Sequence, residues 1–87
     1  MSTLEVKTSV QDGKLQLQID GKQVLSDTGS LSLQLKAGFT YVIQWFVIGE
    51  PGTDYTVIID SPDEAKINLT RTLKIDGHDY GGFRFKA

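Results

Sequence analysis

Apolar and polar residues alternate along most of the chain. Leu4, Val6, Thr8 and Val10 are separated by polar residues. Leu15, Leu17 and Ile19 alternate with Lys14, Gln16, Gln18 and Asp20, and Leu31, Leu33 and Leu35 alternate with Ser and Gln. A period of two puts successive side chains on opposite faces of an extended strand. A helix would show apolar residues at i, i+3 and i+4. Residues 31–36 and 65–70, the nearest candidates, repeat at i, i+2 instead. The chain is therefore expected to be all-β.

Turn signals divide this pattern. Asp12-Gly13 and Asp20-Gly21 both read as hairpin dipeptides, because Gly accepts a positive φ. Gln23-Val24-Leu25 is either a short strand or part of a loop ending at Gly29, and Ala37-Gly38 closes the leucine strand. Glu50-Pro51-Gly52 breaks the longest apolar run, and residues 60–64 turn the chain after the β-branched stretch Tyr55–Ile59. Ile67, Leu69, Leu73 and Ile75 share one face of a following strand; residues 76–82 read as loop, and Phe83 and Phe85 lie in a last strand. Seven or eight strands in 87 residues, with turns at short intervals, predict one domain over 1–87. The expected architecture is an antiparallel immunoglobulin-like β-sandwich with Trp45 at the centre of its core.

Two positions resist the alternation, and such exceptions concentrate at functional or strained sites. In residues 39–48, Phe39, Tyr41, Ile43, Trp45 and Val47 form one apolar face, expected inside. The opposite face carries Thr40, Val42, Gln44, Phe46 and Ile48, where an outer sheet surface is usually polar. If the next strand pairs with this one, Ile58 joins Val42, Phe46 and Ile48 in a single exposed patch. Contiguous patches of this kind mark partner surfaces. The alternative is that the terminal strand, a loop or residues 23–28 cover them. The second exception is Arg71, on the Ile67–Leu69 face. A bulge, an edge position with its head in water, or a pair with a carboxylate would each accommodate it.

The chemistry is sparse. Lys and Arg number nine against eleven Asp and Glu, for a net charge of -2, which argues against nucleic acid and anionic membranes as partners. There is no cysteine, which excludes disulfides, Cys-ligated zinc and thiol catalysis. Residues 1–10 lack the basic and continuously apolar regions of a signal peptide, and no run approaches the roughly eighteen apolar residues of a spanning helix. A native start at Met1 would imply the cytoplasm; for an excised module the compartment is open.

His78 is the only imidazole, and no nucleophile elbow, phosphate loop or zinc-protease motif accompanies it. No catalytic residue, metal ligand or cofactor is therefore assigned. Successive turns alternate ends, so the 49–54 and 76–82 loops should meet. Their meeting would gather Glu50, Asp54, Asp76, His78, Asp79 and Tyr80 as candidate ligand residues. Carboxylates could offer oxygens to Ca²⁺, and Tyr80 with Tyr55 could form a stacking platform for a sugar. Plain turn residues account for the same composition.

Ile19-Asp20-Gly21-Lys22, Leu31-x-Leu-x-Leu35, Ala37-Gly38 and Tyr41-Val42-Ile43 together resemble PEGA-type and related immunoglobulin-like bacterial modules. The resemblance covers residues 15–47 and lacks the Pro-Glu-Gly-Ala element, since Val10-Gln11-Asp12-Gly13 stands there. It implies a surface or accessory module without catalytic residues, and it transfers no site. The expected function is that of a non-enzymatic interaction or structural module. It would bind a protein partner, or a second copy of itself, through the apolar sheet face. A small carbohydrate- or calcium-binding module is the alternative.

Overall fold

A computed structural model describes residues 2–87. Eight strands form in chain order: β1 (Ser2–Val10), β2 (Gly13–Ile19), β3 (Lys22–Ser26), β4 (Gly29–Leu35), β5 (Thr40–Gly49), β6 (Asp54–Ser61), β7 (Ile67–Thr72) and β8 (His78–Lys86). A 3₁₀ turn at Asp63–Ala65 is the only helical element among the described residues. The strands make two four-stranded antiparallel sheets, ordered β4-β1-β6-β7 and β3-β2-β5-β8. The immunoglobulin constant-type order pairs its first two strands in one sheet. Here β1 and β2 lie in different sheets.

Alternation produces the core directly. Leu4 and Val6 of β1, Leu15, Leu17 and Ile19 of β2, Ile43, Trp45 and Val47 of β5, and Tyr55, Val57 and Ile59 of β6 form one buried cluster. Their polar neighbours face out, as expected when two sheets pack through their apolar faces. The Asp20-Gly21 hairpin forms as read, with φ of 51° and 83°. Both values are positive, which is the two-residue turn that matches strand twist. The carboxylate of Asp20 also accepts the Val42 N–H at 2.8 Å, tying the hairpin to β5.

The connections differ from the hairpin reading in two places. Asp12-Gly13 carries the chain from one sheet to the other, from β1 to β2, and the 50–53 turn does the same between β5 and β6. Turn dipeptides report a chain reversal, which serves a crossover as well as a hairpin. Two side chains also leave their expected places. Phe39 precedes β5 in the turn after β4 and is exposed, with the Lys36 ammonium 5.6 Å from its ring centroid. β7 ends at Thr72, so Leu73 is buried but Ile75 lies exposed in the next turn. Residues 23–25 belong to β3 and are not loop.

Candidate functional site

The outer face of the β3-β2-β5-β8 sheet has its composition set by register. Gln16 lies opposite Phe46, and Phe46 opposite Tyr80. The neighbouring row is Lys14, Ile48 and His78. The row on the other side is Gln18, Gln44 and Gly82, followed by Val42 beside Arg84. Phe46 is 43% exposed, Ile48 63% and Tyr80 69%, so no part of the described chain covers them. Lys14, Gln16, Phe46, Ile48, His78 and Tyr80 frame a shallow hollow of about 440 Å³. Gly82 lacks a side chain, and a second hollow of about 520 Å³ opens between Tyr80 and Arg84, with Val42 on its wall. Tyr80 is the ridge between the two.

Ile58 does not belong to this surface. It projects from the outside of the other sheet, because β6 pairs with β1 and β7 and not with β5. A short connection between two strands suggested pairing, but the connection crosses between the sheets. Tyr80 takes the place assigned to Ile58.

The second assembly lies where the β7 and β8 edges approach one end of the sandwich. The Gly49 N–H donates to the Gly77 carbonyl at 2.8 Å, and Gly52 N–H to Leu73 at 2.8 Å, so the 49–54 and 76–82 segments do meet. Asp76, His78, Asp79 and Tyr80 line a groove of about 510 Å³ together with Arg71, Thr72 and Lys74. Glu50 and Asp54 stay outside it: Asp54 accepts a hydrogen bond from the Thr72 hydroxyl, and Glu50 is exposed in its turn. His78, Asp79 and Tyr80 are strand residues and not loop. Tyr55 is fully buried and offers no stacking face.

Asp79 organises this end. Its carboxylate accepts the Tyr55 hydroxyl at 2.6 Å and the Tyr80 N–H at 2.9 Å, with the Arg71 guanidinium 3.5 Å away. Arg71 is thus an edge residue paired at the surface, its side chain half exposed. Partial burial alone would raise the Asp79 pKa. The hydrogen bonds from Tyr55 and Tyr80 and the charge of Arg71 outweigh it and hold the carboxyl below its ordinary value. Tyr55 shifts up, first through burial and then through its bond to the carboxylate. His78 Nδ1 lies 3.3 Å from the Asp76 carbonyl and 3.7 Å from its carboxylate, exposed to solvent. Among the described residues, no three His, Asp or Glu side chains converge as a metal-holding group, and the Asp79 oxygens are already engaged.

Sequence reasoning missed Tyr80 as a member of the apolar face, and it missed the roles of Lys14 and Gln16 as the rim of that face. The signal existed: His78, Tyr80, Gly82, Arg84 and Lys86 continue the period of two upstream of Phe83. Three glycines within residues 77–82 disguised it as loop. Compared with family models, curated proteins and solved structures, the chain has no match.

Proposed function

We propose that the protein is a non-enzymatic interaction module that engages a protein surface through the outer face of the β3-β2-β5-β8 sheet. The carrying observation is the exposure of Phe46 beside Ile48 and Tyr80. A small chain has little apolar material to spare for its outside. Leaving a cross-strand aromatic pair uncovered sacrifices burial worth roughly 1.5–3 kcal/mol per large side chain. Aromatic residues ringed by Lys14, Gln16, His78 and Arg84 fit the anatomy of an interface, in which an apolar centre sits inside a polar rim. This reading is immunoglobulin-like in the broad architectural sense, and it agrees with the accessory role that the PEGA-type resemblance implies.

Phe46→Asp is expected to abolish association while costing folding about 1–2 kcal/mol, for the half-covered ring opposite Tyr80 and the poor strand propensity of Asp. Sedimentation equilibrium and urea unfolding of both proteins measure the two effects. A variant that associates as wild type does would remove the sheet face as the contact surface.

The groove at the β7–β8 end supports a second reading, a small polar ligand such as a sugar held against Tyr80 with Arg71, Asp76 and His78 around it. Titration with a glycan panel should shift the amide resonances of Asp76, His78, Asp79 and Tyr80 and leave those of Glu50 unmoved. Unchanged spectra across the panel would dismiss it.

A further inference from the structure

We infer that the open edge of β8 pairs antiparallel with the β8 edge of a second copy of this chain, joining two four-stranded sheets into one. The inference rests on reading the protein as an interaction module, and adds to it an edge and a partner. Among the described residues β8 pairs only with β5, over nine residues without a register shift. The other edges are shorter: β3 has five residues and an interrupted register with β2, β7 has six and β4 seven. A long, unbroken edge is a template for another strand.

The ladder shows which backbone groups are available. Gly49 N–H donates to Gly77 O, and Ala87 N–H to Phe39 O, at the two ends of the β5–β8 register. Hydrogen-bonded pairs recur at every second residue of an antiparallel ladder. The odd-numbered residues of β8 therefore bond to β5. The even-numbered ones, His78, Tyr80, Gly82, Arg84 and Lys86, turn N–H and C=O to the open side. Asp79 occupies only the Tyr80 N–H, at 2.9 Å. Gly82, in the middle, carries no side chain to obstruct an approaching strand.

Charge chooses the occupant. The turn before the strand carries Asp76, and the strand leaves through Arg84 and Lys86; Asp79 faces the other side and is held by Tyr55 and Arg71. Two such strands running antiparallel set the acidic end of each beside the basic end of the other. A parallel pair would set like against like. Antiparallel self-pairing is also the isologous arrangement that closes as a dimer. Tyr80 and Phe46 lie beside the joint, so the apolar face would continue from one copy into the next.

The test is sedimentation equilibrium of the full chain at up to about 200 μM, a range suited to an edge joint of small area. A reversible dimer, weakened by salt, is expected. Asp76→Lys and the double variant Arg84→Glu/Lys86→Glu should each weaken it by about tenfold or more. An equimolar mixture of the two should recover the dimer, because the introduced lysine of one variant then meets the introduced glutamates of the other, while Arg84 and Lys86 of the first meet Asp76 of the second. That recovery also shows both variants to be folded. A chain that is monomeric throughout overturns the inference. So does a dimer indifferent to both charge variants. If that indifferent dimer is lost in Phe46→Asp, the sheet face and not the edge holds the copies, which separates the two proposals.

Discussion

Gly81→Val is expected to destabilise the protein by about 3 kcal/mol, the upper range for forcing atoms into a filled core. Gly81 lies directly opposite Trp45 in the β5–β8 ladder. A Cβ there would stand 2.5 Å from Trp45 Cζ2 and 2.6 Å from Cε2. The indole has nowhere to retreat: it is buried, and its ring meets Phe83 edge-on at 6.3 Å. Urea unfolding should show a lower midpoint with an unchanged slope. Trp45→Leu in the same background should recover part of the loss, since the two positions share one space and their effects cannot add. A Gly81→Val protein as stable as wild type would show that the indole has room that this packing denies it. Among the described residues Trp45 Nε1 has no hydrogen-bond partner of good geometry.

Asp79→Ala should cost about 2 kcal/mol at neutral pH, because the buried Tyr55 hydroxyl and the Tyr80 N–H both lose their acceptor. Asp79→Asn keeps an acceptor and should lose less. The dependence on pH follows from the direction of the shift. The carboxyl of Asp79 titrates below its ordinary value of 3.8 in the folded protein. Its contribution is therefore complete above that value and disappears as pH falls through the lower folded one. The gap between wild type and Asp79→Ala should close in acid below about pH 4. Tyr55 moves the other way, above its ordinary 10.0. Its contribution is complete below pH 10.0 and is lost as pH rises past it. Thermal unfolding of both proteins across the pH range measures this. A gap that persists unchanged at low pH would mean that the carboxylate charge is irrelevant to the network. Arg71→Ala should cost under about 1 kcal/mol, since its pair is half exposed and long.

The strands were legible in the chain because period two needs no knowledge of partners. Leu15, Leu17, Ile43, Trp45, Tyr55 and Val57 are buried as the alternation requires. Val42, Phe46 and Ile48 face out as the same rule requires. Alternation failed where a strand stopped: Phe39 and Ile75 continue the pattern by position, yet lie beyond the ends of β5 and β7. It also fails where glycines interrupt a strand: residues 78–82 carry the period of two, yet Gly77, Gly81 and Gly82 make them read as loop.

Pairing was not legible. A turn residue sets the local backbone, and Asp12-Gly13 satisfies a crossover as well as a hairpin. Which strand lies beside which depends on burying two apolar faces at once, a condition spread over the whole chain. That condition moved Ile58 to the far side of the molecule and brought Tyr80 beside Phe46. It also placed Asp79 within reach of Tyr55 and Arg71, from residues far apart in sequence. The period of two settles which side of its own strand each residue occupies, because one pleat is a local property. The neighbours on that side, and with them the surface that Phe46 shares, follow from strand order, which no local segment encodes.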